Sequence, residues 1–374
     1  MQKEVLIEKL NKVLEKLKNL QPPQIADIEN ANSEDLAKGV IARDFGIDEW
    51  DWPQGVGLYG INKLQKLNIL ENNNEFFYSW FKKNIERGLP TKNVNTTTPL
   101  LTLIDLCDVY KDKEFEELCL EWAEWLMKDL PKTKENGFQH VTSALHGRDG
   151  LTLNEGQLWI DTLFMMALYL NKMGVKYKKE EWIAESIYQV LIHIKYLYEK
   201  KNGLFYHGWT FIENNNFGEI FWCRGNSWFT LGLMEFIESS EKYIEKGTKE
   251  FMLATYRAQV EKLTELQDVS GGWHTVLDDK DSYLETSGTA SIVAGIFKGI
   301  QSGVLDKKYE EVALKGLNFI LENIAEDGTV LNVSGGTGIG MNKEHYKNII
   351  IAPMAYGQSL TIVALAEALK YITK

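Results

Sequence analysis

The chain is poor in cysteine: 374 residues contain three, Cys107, Cys119 and Cys223, an odd number with no paired spacing. That excludes a disulfide framework and fits a reducing compartment, with all three expected as small buried hydrophobes. Positive charge is also in deficit. Lys and Arg number 41 against 53 Asp and Glu, a formal net charge of -12, and no stretch gathers a basic face, which excludes a general nucleic-acid binder. No apolar run is long enough to span a bilayer. Near the N-terminus, Leu6, Leu10, Val13, Leu17 and Leu20 form one stripe among Lys and Glu, an amphipathic helix rather than a signal peptide, ended by the Pro22-Pro23 pair. The expectation is a soluble cytoplasmic protein with no membrane partner. Familiar chemical motifs are missing as well. There is no His-Glu-x-x-His or paired-Cys motif and no Gly-x-Ser-x-Gly elbow, so neither a metal site nor a serine nucleophile is expected. The run Gly335 to Gly340 lacks the Gly-Lys-Ser/Thr ending of a phosphate loop and reads as a loop bordering a cavity; no cofactor is expected.

What the chain does have is tryptophan, 11 residues of it, and a repeat. Many Trp in a globular chain serve either a large core or a stacking surface for flat ligands such as sugar rings. Six short Gly-, Thr-, Ser- or Trp-containing loops run straight into apolar helices. Counted from Gly57, Thr97, Asp161, Gly225, Ser287 and Gly357, their intervals are 40, 64, 64, 62 and 70 residues, room for two helices each time. Between them lie charged amphipathic helices around Lys3 to Leu20, Asn73 to Arg87, Phe115 to Leu130, Glu180 to Glu199, Lys249 to Gln267 and Lys307 to Ile324. Helices apolar nearly all round belong inside and striped ones outside. Twelve helices alternating in this way predict an all-α (α/α)6 barrel over residues 1–374, one domain without an interrupting linker. Short runs at 203–207, 271–274 and 329–332 could form small hairpins in the rim loops. All six inner helices would start on one rim, where free N–H groups and positive dipole ends favour a carboxylate ligand.

The candidate chemistry gathers on that rim. Asp161, between Trp159 and the apolar run Leu163 to Leu170, fits a helix cap and a functional acid equally well, because a short acid both accepts backbone N–H bonds and complements the dipole. The stretches Tyr206-His207-Gly208-Trp209 and Phe221-Trp222-Cys223-Arg224-Gly225-Asn226-Ser227-Trp228 put three bulky aromatics, a His and an Arg at a helix entrance. Either they roof the barrel, or Trp faces stack on sugar rings while Arg224 holds a carboxylate by two parallel bonds. His140 precedes the Asp161 helix and could, like His207, donate to a substrate oxygen or tune Asp161. His146, His193, His274 and His345 read as structural.

Taken together, Glu155 to Met165 around Trp159-Ile160-Asp161, the pair His207 and Trp209, Trp222-Cys223-Arg224-Gly225 through Trp228, Gly55 to Gly60, Val94-Asn95-Thr96-Thr97 and Glu285-Thr286-Ser287-Gly288 resemble the unsaturated rhamnogalacturonyl hydrolases of glycoside hydrolase family 105, related to the unsaturated glucuronyl hydrolases of family 88. The likeness runs from about Trp50 to Gly357. It implies hydration of the C4=C5 double bond of a terminal unsaturated uronic acid on a short oligosaccharide left by a polysaccharide lyase. Asp161 would protonate C4 and then deprotonate the attacking water. Arg224 would bind the uronate, His207 and His140 its hydroxyls or the glycosidic oxygen, and Trp222 and Trp228 would wall the site, with Trp159, Trp209 and Tyr59 carried over as neighbours. Where related glucuronyl hydrolases often have a second carboxylate, this chain has Asn95, which takes no proton. The alternatives are another (α/α)6 sugar enzyme, an epimerase or a conventional inverting glycosidase with a second carboxylate about 6.5–9.5 Å away, or a non-catalytic carbohydrate-binding protein. A monomer and a homodimer are equally compatible with the sequence.

Overall fold

The computed structural model describes residues 3–22, 45–68, 72–144 and 148–373; Pro23 and His146 lie outside them. In chain order its helices are α1 Lys3–Lys18, α2 Trp52–Lys66, α3 Asn74–Glu86, α4 Val94–Thr97, α5 Leu100–Tyr110, α6 Lys113–Lys128 and α7 Leu168–Tyr177. There follow α8 Glu180–Leu197, α9 Cys223–Ser240, α10 Lys246–Leu266, α11 Thr286–Gln301, α12 Glu310–Glu322, α13 Lys343–Lys347 and α14 Ala355–Ile372. The inner ring is α2, α5, α7, α9, α11 and α14, each packed on the next and α14 closing back on α2, so the predicted (α/α)6 barrel is the fold. Burial explains the sorting. In α14 every residue from Ala355 to Leu369 is buried, whereas α6 buries only Phe115, Leu118, Cys119, Trp122, Ala123 and Leu126, the stripe of an outer helix.

The inner helices touch backbone to backbone at their crossings. A Cβ on Gly60 would lie 2.3 Å from Ser359 Oγ and 2.8 Å from the Ser359 carbonyl oxygen, and one on Gly295 would lie 2.7 Å from the carbonyl oxygen of Thr230. Thus α2 meets α14, and α11 meets α9, through residues that cannot carry a side chain.

All six inner helices begin at one end. Trp52 of α2 meets Trp228 of α9 and Tyr356 of α14, Trp228 reaches Asp161 before α7, and Arg224 of α9 faces Glu285 before α11. Trp50 Nε1 donates to the Thr96 carbonyl at 2.8 Å, bringing in the approach to α5. Two of these starts are capped by side chains, Asp51 accepting the Trp52 N–H and Glu285 those of Ser287 and Gly288, and the short α4 ahead of α5 opens on a capping box of Asn93 and Thr96. Strands are few and short: β1 Thr142–Ser143, β2 Leu151–Thr152, β3 Gln157–Trp159, β4 Tyr198–Glu199, β5 Leu204–Phe205 and β6 Gly208–Thr210. They pair antiparallel as β1–β2, β3–β6 and β4–β5. Of the three small hairpins expected, only the one at 203–207 forms as paired strands; the other two reduce to the single bridges His274–Leu284 and Ile324–Val330. Among the described residues no helix is long and apolar enough to cross a membrane.

The helix crossings give a direct test. Gly60→Ala is expected to lower stability by about 1–3 kcal/mol, the cost of overpacking a rigid contact, measured by chemical denaturation; Gly247→Ala, with nothing within 4 Å of its new methyl, serves as the control.

Candidate active site

The site is assembled by a two-stranded ribbon. In β3 and β6, Trp159 pairs with Gly208, and one residue further on the Ile160 N–H donates to the His207 carbonyl at 2.9 Å. That pairing sets His207 beside Asp161, although 46 positions separate them in sequence. The main-chain carbonyl of Asp161 accepts the N–H groups of Phe164 and Met165 at 3.1 and 3.0 Å, and the chain enters a π-helical turn, Leu163–Ala167, before α7. Such turns are rare and concentrate at functional sites.

Of the two roles that its place in the sequence allowed, the Asp161 carboxylate does not take the helix cap; the carbonyl begins the helix and the carboxylate accepts from Trp228 instead. Oδ1 accepts from Trp228 Nε1 at 3.1 Å. Oδ2 lies 3.3 Å from His207 Nε2, out of line for a hydrogen bond, so that both atoms are buried without a hydrogen-bond partner. Burial pushes the carboxyl up. The contact with His207, the electrostatic influence of His207 and His140, and the Arg224 charge outweigh that and hold it below its ordinary value. The His140 contribution operates only in strong acid, since burial brings that imidazole down to about 3. At neutral pH His140 is an uncharged ring, stacked on Trp159 at 4.3 Å, with Nδ1 2.7 Å from Thr162 Oγ1.

Other residues take places that differ from those expected. Arg224 is fully buried. Its Nη1 and Nη2 donate to the carbonyls of Ser334 and Gly335 at 3.0 and 2.7 Å, it lies 3.7 Å from Glu285 Oε1, and Trp222 and Tyr356 sandwich it at 4.5 and 4.9 Å. The free two-pronged clamp is therefore corrected to a tethered cation: in this arrangement only Nε lacks a partner. Trp228 is also fully buried, so it serves Asp161 as a donor and offers no face to a sugar. Trp222 is buried 4.4 Å from the His207 ring, with Nε1 unpaired among the described residues. Trp209 stands opposite Leu158 in the ribbon and packs against Tyr196 and Phe211, away from Asp161. Tyr59 sits midway along α2 and lines a cavity of about 550 Å³ with Lys63, Asp105, Lys172 and Glu235, residues of the later turns of the inner helices. Asn95 is half-buried on α4, which packs against the π-helical turn.

Four participants went unnoticed in the sequence. Trp52, stacked on Tyr356 at 4.5 Å, follows a helix-start signal, Asp51-Trp52-Pro53, that could have placed it on the rim. Glu285 looked like part of a helix entrance; its carboxylate accepts from Ser287, Gly288 and Ser334 N–H groups and balances Arg224. Ser334 precedes the glycine-rich run and Tyr346 lies on the short α13, and neither residue type by itself marks a site. Glu285→Ala leaves the Arg224 guanidinium buried without its counter-charge and strips the α11 cap. The expected loss is about 3–5 kcal/mol of unfolding free energy by denaturant titration.

The glycosyl hydrolase family 88 model matches residues 28–372. The chain is 32% identical over 335 residues to the unsaturated rhamnogalacturonyl hydrolase YesR of Bacillus subtilis (strain 168), covering 88% of this chain and 93% of that protein. A structure of a possible member of the GH105 family from Salmonella enterica serovar Paratyphi A superposes with a TM-score of 0.90 at 32% identity, covering 99% of this chain and 95% of that one. The unsaturated glucuronyl hydrolase of Bacillus sp. GL1, at 16% identity and a TM-score of 0.68, shares the fold. On the match along nearly its whole length, together with the barrel beneath it, the chain belongs to glycosyl hydrolase family 88.

Proposed function

We propose that this hydrolase removes a terminal 4,5-unsaturated uronic acid from short lyase products, with Asp161 as general acid and then general base. The observation that carries this reading is a carboxylate that, among the described residues, is the one at the rim left without a sealing partner. Asp161 is partly open, 18% exposed, and its Oδ2 is unpaired. Of the other carboxylates at the rim described above, Glu285 is sealed by Arg224 and three backbone N–H groups, and Asp51 caps α2. Position 95 holds an amide. An inverting glycosidase needs two working carboxylates with a water between them, whereas hydration of an enol ether needs one acid that changes state. The kinship with a protein named an unsaturated rhamnogalacturonyl hydrolase, at 32% identity, supports an unsaturated galacturonyl-rhamnose substrate.

In this scheme protonated Asp161 delivers its proton to C4, and positive charge develops at C5 and the ring oxygen. The carboxylate so formed takes a proton from water as that water's oxygen bonds to C5. The resulting hemiketal opens and releases the aglycone. His207 and His140, the latter uncharged, hydrogen-bond the sugar; Trp52 supplies a half-buried aromatic face.

Asp161→Asn keeps the shape and the Trp228 bond but cannot cycle a proton. The expected result is a loss of about 10²–10⁴-fold or more in kcat, followed by the ultraviolet absorbance of the unsaturated disaccharide. Full activity in that variant moves the acid elsewhere. A second outcome concerns pH. In the empty site the carboxyl is held low, so it is ionised under neutral conditions. The bound uronate adds like charge and favours protonation. The acid form being the active one, kcat falls as pH rises, with a midpoint above the titration of Asp161 in the ligand-free protein measured by carboxyl-carbon NMR. Coincident midpoints contradict it.

A further inference from the structure

A neutral imidazole carries one N–H, and its place decides which nitrogen donates and which accepts. His207 is buried, its Nδ1 2.7 Å from the Tyr346 hydroxyl and its Nε2 3.3 Å from Asp161 Oδ2. Trp159 and Trp222 flank the ring at 5.4 and 4.4 Å, and His140 and His345 are titratable groups within electrostatic reach of it. Tyr346 is fully buried among Ile220, Trp222, Val276 and Ile349. Its hydroxyl oxygen already accepts the Gly340 N–H at 3.0 Å. Burial, aided by the Asp161 charge and opposed by that N–H, pushes the hydroxyl above its usual range, so it keeps its proton. That proton needs an acceptor, since a buried O–H left unpaired carries its full desolvation penalty. Among the described residues, His207 Nδ1 is the acceptor within reach.

We infer that Tyr346 is a positioning residue: it donates to His207 Nδ1 and so places the ring proton on Nε2, facing Asp161. Both ends of the ring agree, because a carboxylate oxygen opposite Nε2 also favours N–H there. His207 then presents a donor to the space beside Asp161 and has no free lone pair with which to deprotonate water. Asp161 is left as the base in the hydration step. The same hydroxyl ties down Gly340, so the glycine-rich loop from Gly335 to Gly340 and the His207 tautomer are set by one oxygen. The tautomer stands on geometry alone; its catalytic consequence rests on the proposed role of Asp161.

The test is long-range proton–nitrogen NMR of His207 in the full-length, ligand-free protein, beside kinetics of Tyr346→Phe. The expected wild-type spectrum has a protonated Nε2 and a bare Nδ1. In the variant, which keeps the ring and removes the hydroxyl, Asp161 alone is left to hold the proton, so an Nδ1–H population appears beside the Nε2–H form, and kcat falls about tenfold or more while KM changes little, as befits a misplaced proton. Loosening of the Gly340 loop by itself leaves the tautomer where it was. A bare Nε2 in the wild type overturns the inference, and so does a variant with unchanged tautomer and unchanged kcat. If the tautomer is as expected but Asp161→Asn is fully active, the acid assignment fails and the role of Tyr346 in fixing the ring stands.

Discussion

Closure of the inner ring is the constraint from which the rest follows. Six helices around one axis leave no slack at their crossings, and Gly60 against Ser359 and Gly295 against Thr230 mark where backbones touch. A ring closed this tightly cannot slide one helix along another without steric conflict, because packed interiors are not continuously deformable. The helix starts are therefore held in one layer. Asp161, Trp228, Arg224, Glu285, Trp52 and Tyr356 meet there because each lies at or near the first turn of its helix, or just before it.

The two ends of the barrel then diverge chemically. At the starts, free N–H groups are capped by Asp51, Asn93 and Glu285, and one cation, Arg224, is fixed by carbonyls and by Glu285. At the later turns, Lys63 and Lys298 bridge Glu235 at 2.9 and 2.7 Å, and Lys66 and Lys172 bridge Asp105 at 2.6 and 2.7 Å. Lysines suit helix C-termini, where the dipole is negative. The Lys63–Glu235 pairing holds the Glu235 carboxyl well below its usual range despite burial, so that end is a compensated lattice of charge. Tyr59 belongs to this end, its hydroxyl pushed up by burial and by Glu235. A helix places residues seven positions apart about 10.5 Å along its axis, enough to carry Tyr59 away from the layer that holds Trp52.

This spacing also explains what was legible beforehand. The barrel could be read because inner and outer helices differ in composition over whole turns, as α14 and α6 do. Asp161, His140 and His207 could be read because each lies beside a loop-to-helix or ribbon junction rich in aromatics. Side-chain direction could not. Whether Trp209 faces Asp161 or Tyr196 depends on the register of a three-residue ribbon, and Arg224 changed from clamp to tethered cation because Ser334 and Gly335, 110 and 111 positions away, fold back onto it. Tyr346 carried no local signal, being a single hydroxyl in a polar rim helix whose partner is 139 positions distant.

Under the proposed scheme the resting state of Asp161 acquires a physical meaning. A carboxyl that the scheme requires to be neutral at first is kept ionised in the empty site by its contact with His207 and by the Arg224 charge. That arrangement is unfavourable for the first step and favourable for the second, in which a carboxylate must take a proton from water. Substrate binding has to reverse the bias, and a uronate is suited to doing so, since its own negative charge competes for the same positive potential. In that scheme a neutral sugar of the same shape would leave Asp161 ionised and unable to donate. Discrimination in favour of an acidic sugar can thus arise in the protonation step as well as in binding, which requires no cation free to grip the carboxylate and is consistent with an Arg224 already held on two sides.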